Sequence, residues 1–200
     1  MNGIPLMPND IFNLDAVFAT SFRKPLDRAL SQFRFECIED RGCTTKNIEE
    51  FWSQNRNSLS NVYTWTFTRK GGLHKISHSN STSAILARQA AVGKALDVLV
   101  RFHLIVIMEW LAYAKTTVEK ELGFQDTSAL IQRIRPHISQ AKRNDGQDIN
   151  NLGAAGIAKA SWDPQKYLSP SQFKIMSEDL ALDEILNDVA RRIFLERLVC

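Results

Sequence analysis

Two stretches of this chain gather cationic side chains with no acid among them. Residues 69–78 hold Arg69, Lys70, His74, Lys75 and His78, just after a run containing Tyr63, Trp65 and Phe67. Residues 133–143 hold Arg133, Arg135, His137, Lys142 and Arg143, and run on into Asn-Asp-Gly-Gln. Lysine and arginine grip phosphate oxygens by charge and hydrogen bonding, and aromatic rings stack on bases. Polyanion binding is therefore the chemistry that these residue types and spacings suggest, with Arg69, Lys70, Lys75, Arg133, Arg135, Lys142 and Arg143 as the phosphate contacts. The formal net charge is only +3. The basic clusters nevertheless stand apart, because the acids concentrate elsewhere, at Glu36 to Asp40, Glu49 to Glu50 and Glu178 to Asp188.

Catalytic chemistry has less to build on. The sequence contains no phosphate-binding Gly-Lys-Ser/Thr loop, no Gly-x-Ser-x-Gly elbow, no His-Glu-x-x-His and no dinucleotide fingerprint. His103 and Glu109, six residues apart, do not share a helix face, and His103 reads as a core histidine satisfied by a hydrogen bond. Arg69 and His74 have the Arg-x4-His spacing of HEPN-type ribonucleases. That resemblance implies metal-free RNA cleavage by this pair, here on an expected hairpin instead of a helix start. Gly153, Ala154, Ala155 and Gly156 lack the preceding strand of a phosphate cradle and read as a loose connection. Trp162 and Tyr167 read as loop anchors. No catalytic residue, cofactor or metal site is assigned, and three cysteines without zinc-type spacing support none.

The elements that must position these groups are mainly helical. The segment from Ala95 to Ala114, ALDVLVRFHLIVIMEWLAYA, is apolar on nearly every side at a 3.6-residue period. With Gly93 the one weak breaker between Ser83 and Leu122, it predicts a single buried helix of up to about 40 residues, roughly 60 Å long. Asp97, Arg101, His103 and Glu109 argue against a membrane span, and Asp97 and Arg101 lie one turn apart and can pair. The expected fold class is mainly α, a helical bundle around one long buried central helix, with a single small β-hairpin.

Around that helix the pattern predicts a flexible arm over residues 1–9 and a single helical domain over 10–200. A first helix carries Phe12, Ala16, Val17 and Phe22. A second starts at Pro25, buries Leu26, Leu30, Phe33 and Cys37, and stops near Gly42. A third is capped by Thr44 or Thr45 and buries Ile48, Phe51 and Trp52. In VYTWTFT the period changes to two, which predicts a strand, and Arg69-Lys70-Gly71-Gly72 turns it into a hairpin over about 62–78. Gly123 stops the long helix with Phe124 packing just beyond, and Asp126 caps a helix that buries Leu130, Ile131 and Ile134 and ends at Pro136. A polar loop spans about 139–163. Ser169-Pro170-Ser171-Gln172 reads as a capping box. The last helix shows an apolar stripe of Leu182, Ile185, Leu186, Val189 and Ile193, and ends with Leu195, Leu198 and Val199 available for a subunit contact.

Cys37 and Cys43 could bridge, but in a chain without an export signal free thiols in a reducing compartment are expected, placing the protein in the cytoplasm or a virion. In element order the chain is similar to rod-shaped plant virus coat proteins. The order is two short helices, the second ending in Phe-Trp, then a strand, a long helix, a basic polar loop and a C-terminal helix. The likeness lies in that order, and no site residue is carried over from it. The function expected is RNA binding by a self-assembling structural protein of nucleocapsid type, a homo-oligomer with RNA or another nucleic acid as partner and no membrane. The alternatives are a protein-interaction module without nucleic acid and a small helical ribonuclease of the HEPN kind.

Overall fold

The computed structural model describes residues 17–39, 43–45, 47–68, 81–127, 164 and 168–199, with the backbone alone for 38 and 39. The expected arm over 1–9, the second hairpin strand, the helix through Ile134 and the loop over 139–163 lie outside these residues. The fold is mainly α with one small β element, in the order β1 (Ala19–Phe22), α1 (Pro25–Phe33), a π-helical extension (Arg34–Glu39), α2 (Ile48–Leu59) and α3 (Val62–Thr68). Then follow α4 (Thr82–Leu99), β2 (Leu104–Ile107), a 3-10 segment (Met108–Ala114), α5 (Lys115–Leu122), α6 (Pro170–Asp179) and α7 (Ala181–Val199). The chain forms two compact units, one drawn from residues 1–25, 60–132 and 179–200, the other from 26–59 and 133–178.

In the first unit the expected 40-residue helix is broken. The chain leaves α4 at Leu99 through two tight turns, Arg101 N–H to Val98 C=O and Phe102 N–H to Leu99 C=O, at 3.1 and 3.3 Å. Leu104–Ile107 then runs as β2 in parallel register with β1, Ala19 beside Leu104 and Phe22 beside Ile107. A short run of apolar residues fits a fully buried strand as well as a buried helix, and the β-branched Ile105, Val106 and Ile107 favour the strand. Beyond it the 3-10 segment kinks at Trp110 (φ −114°, ψ 23°) before α5 resumes. Phe22, Phe67, Val98, Leu99, Phe102, Leu104, Ile107, Leu186 and Phe194 form the core. Among the described residues no helix is long and apolar enough to cross a membrane.

The expected hairpin is also corrected, because its first strand is α3. Alternating Thr and aromatic residues favour a strand locally, yet contacts made far along the chain override that preference. The buried Asp183 carboxylate accepts from Tyr63 N–H (2.9 Å), Thr64 N–H (2.8 Å) and the Thr64 hydroxyl (2.9 Å). Asn61 Oδ1 in turn accepts from Leu182 and Asp183 N–H at 3.1 and 3.2 Å. The N-termini of α3 and α7 thus cap each other, satisfying donors that a helix start otherwise leaves open. Asn61 sits at φ 49°, a left-handed conformation that Asn tolerates better than most residues. The Thr66 and Thr68 hydroxyls donate to carbonyls one turn back, Val62 and Thr64, at 2.7 and 2.9 Å.

Pro25 opens α1, and in the second unit Leu26, Leu30, Phe33 and Cys37 are buried as a single face despite the change to π geometry at Arg34. Phe33 packs on Phe51 with ring centroids 5.3 Å apart, and the Arg28 guanidinium donates to the Leu59 carbonyl at 2.7 Å. The cap of α2 is Asn47 and not either threonine: its Oδ1 accepts from Glu49 and Glu50 N–H. Thr45 instead bonds Glu50 Oε2 at 2.6 Å, so threonine and glutamate brace the capped turn. Ser169 caps α6 by accepting from Gln172 N–H, with Pro170 at the first helical position. Cys37 and Cys43 are joined in a disulfide, in place of the free thiols expected.

Candidate functional site

None of the seven phosphate contacts read from the sequence falls in the described residues: Arg69, Lys70, Lys75, Arg133, Arg135, Lys142 and Arg143 all lie outside them, as does His74. The structure does place two of the aromatic residues next to the first cluster. Tyr63 and Phe67, placed on α3, turn into the core, with Phe22 ring centroids 4.7 and 5.9 Å away and Phe102 at 5.5 Å from Phe67. The Tyr63 hydroxyl accepts from Arg23 N–H and donates to Arg23 C=O, both at 3.0 Å. These two rings hold the fold and offer no stacking platform for bases.

The histidine expected in the core is elsewhere too. His103 is exposed at the turn before β2, where its Nδ1 accepts from Phe18 N–H at 3.0 Å and its ring lies near-parallel to that of Phe18. An accepting Nδ1 assigns the proton of the neutral ring to Nε2, leaving that nitrogen as a donor. Glu109 is likewise exposed, and its Oε1 accepts from Lys24 N–H at 2.9 Å. The break after Leu99 explains both, because His103 sits instead at the turn before β2 and Glu109 in the 3-10 segment after it, where each reaches solvent.

That same break helps to build a concave surface that gathers polar groups from distant parts of the first unit. A cleft of about 610 Å³ lies between the turn Val100–His103, the face of α5 bearing Thr116, Thr117, Lys120 and Glu121, and Arg197 with Leu198 on α7. Its lining carries three basic side chains, Arg101, Lys120 and Arg197, and a single carboxylate, Glu121. Arg197 is held in place by its Nη1, which donates to the Phe102 and His103 carbonyls at 2.8 and 2.9 Å. Arg101 and Lys120 are exposed and free to turn toward a ligand. The donors here are two guanidinium groups, an ammonium and two threonine hydroxyls, a set suited to a phosphate or carboxylate held in water. Among the described residues no group of His, Cys, Asp and Glu could hold a metal ion.

The comparisons with known proteins add no further constraint. No protein-family model, curated protein or solved structure matches the chain. The cleft was not legible in the sequence, since Arg101, Lys120 and Arg197 are spread over 97 positions and belong to no local cluster. The only trace was the pair Arg101 and His103, which reads in the sequence as an interruption of a buried helix.

Proposed function

We propose that this protein binds RNA through its phosphates and assembles with copies of itself as a structural protein of nucleocapsid type. The observation that carries the reading is the segregation of charge. Residues 69–78 and 133–143 are cationic without a single acid, in a chain whose net charge is only +3. The acids that balance them include Asp183, which is buried as a helix cap. The cleft containing Arg101, Lys120 and Arg197 adds a third basic feature, on the surface of the first unit. The reading rests on this charge placement, since the strand and the long helix of the coat-protein order are replaced by α3 and by the α4–β2–α5 path.

Binding through phosphates has a quantitative signature. Each neutralised phosphate releases counterions, so the logarithm of affinity for single-stranded RNA falls with the logarithm of salt at a slope near −0.7 per contact. Seven contacts give a slope of about −5, and converting Arg133, Arg135, Lys142 and Arg143 to Ala leaves about −2. Fluorescence anisotropy of a labelled single-stranded RNA, titrated at several salt concentrations, measures both. A salt-independent signal, or a slope unmoved by the fourfold substitution, overturns the reading and leaves a protein-interaction module in its place.

A further inference from the structure

The exposed face of α7 reads the same in both directions. The stripe expected to be buried, Leu182, Ile185, Leu186, Val189 and Ile193, is rotated, and the residues that enter the core are Asp183, Leu186, Asn187, Ala190 and Phe194. The opposite side, spaced four and three residues apart, is Ala181, Ile185, Asp188, Arg192, Leu195 and Val199, and every one of these is exposed. Ile185 and Leu195 are about half accessible, at 45% and 48%, and Val199 is 87% accessible. A four-three spacing is that of a helix–helix seam. Turned end for end about the level of Ala190, this stripe superposes on itself. Ala181 falls on Val199, Ile185 on Leu195, and Asp188 on Arg192.

We infer that α7 pairs antiparallel with α7 of a second copy of this chain, about a two-fold axis at the level of Ala190. Each Asp188 then faces Arg192 of the other copy, between layers of Ile185 on Leu195 and Ala181 on Val199. A self-complementary patch of this kind is what a two-fold interface requires. The antiparallel sense also sets opposite helix dipoles side by side, whereas a parallel pairing would bring Asp188 against Asp188 and Arg192 against Arg192. Charged residues in the middle of an apolar seam fix register and direction at some expense in stability. Arg192 already bonds Glu196 at 3.0 Å within its own helix, but a guanidinium carries five donors and can serve both carboxylates. Arg191, which flanks the axis, is drawn over the Trp110 ring at 4.4 Å, so its charge is already partly engaged.

A single helix pair of this length lies at or below the low end of specific interfaces, which bury about 1,200–2,000 Å² in total. The dimer is therefore a dissociable one, in the micromolar range. This inference takes from the reading above only that the chain associates with itself, and it stands whether or not RNA binds.

Sedimentation of the full chain across a concentration series tests it, with single-stranded RNA binding followed separately on the same samples. The wild type moves from monomer to dimer mass, and Asp188→Arg and Arg192→Asp each raise the dissociation constant at least about tenfold, by setting like charges face to face. Mixing the two variants restores a dimer containing one of each, and the double exchange in one chain restores the homodimer. Both positions are exposed, and unchanged circular dichroism of each variant confirms its fold. A monomeric wild type, or a dimer indifferent to both single exchanges, overturns the inference. Either result leaves the RNA reading intact if the salt-dependent titration persists. Loss of that titration with the dimer retained removes the RNA reading alone.

Discussion

Replacing Asp183 with Ala removes one carboxylate and leaves three donors without their acceptor: Tyr63 N–H, Thr64 N–H and the Thr64 hydroxyl. A buried donor deprived of its partner costs about 1–3 kcal/mol. Thr64 is fully buried, while Tyr63 is half-buried and its amide can find water, so the two Thr64 groups dominate. The expected loss is about 3–4 kcal/mol, well above the roughly 1 kcal/mol of an exposed helix cap. Asp183→Asn keeps one oxygen as an acceptor and loses the charge, which places it at about half that loss. In urea, with a slope near 2 kcal/mol per molar, Asp183→Ala lowers the unfolding midpoint by about 1.5–2 M. Far-UV circular dichroism follows the transition, and tryptophan emission checks it, since Trp110 packs on Phe194 of α7. A midpoint lowered by less than about 0.5 M would refute the reasoning that Asp183 holds α3 helical against its strand propensity.

Other parts of the structure make their own predictions. Asn61→Ala removes the acceptor for Leu182 and Asp183 N–H and puts a non-Asn residue at positive φ, so it costs about 2 kcal/mol. In a double-mutant cycle with Asp183→Ala it loses less than the sum of the two, because both substitutions open the same reciprocal cap. Gly123 stops α5 at φ +68° with open space around it, so Gly123→Ala meets no clash and costs about 1–2 kcal/mol through backbone strain alone. A thermal melt reads this as a drop of several degrees. The Cys37–Cys43 bridge closes a short loop and is worth about 2 kcal/mol by loop entropy, so Cys37→Ser with Cys43→Ser lowers stability by that amount. Thiol labelling of the unfolded chain finds Cys200 alone before reduction and all three cysteines after it.

The parts of the fold legible in the sequence are those fixed by short-range chemistry. Pro25 at a first turn, the buried face of Leu26, Leu30, Phe33 and Cys37, the Ser169-Pro170 start and the left-handed Gly123 all follow from local capping and periodicity. The misread parts are those decided at long range. VYTWTFT has the alternation of a strand, and becomes a helix because a carboxylate about 120 positions away caps it. LIVI, an apolar run that fits a buried helix or a buried strand, becomes a strand because β1, 85 positions earlier, offers it a partner. On α7 the expected stripe was turned by about one residue because Asp183 and Asn187, both polar, are buried. Asp183 breaks the rule that charged groups stay outside because it caps a helix, whereas Asn187 is buried within α7 and its amide has no hydrogen-bond partner among the described residues. Phe124, placed by rule against the end of α5, is instead exposed. The cationic cleft was hidden for the same long-range reason, its three cations meeting only when the turn after α4, α5 and the end of α7 come together.

Size-exclusion chromatography with light scattering, run with and without single-stranded RNA at low and high salt, tests the central claim most directly. Phosphate-driven assembly predicts that RNA converts the small species into large particles at low salt and that these fall apart at high salt. A particle mass that RNA leaves unchanged at both salt concentrations contradicts it.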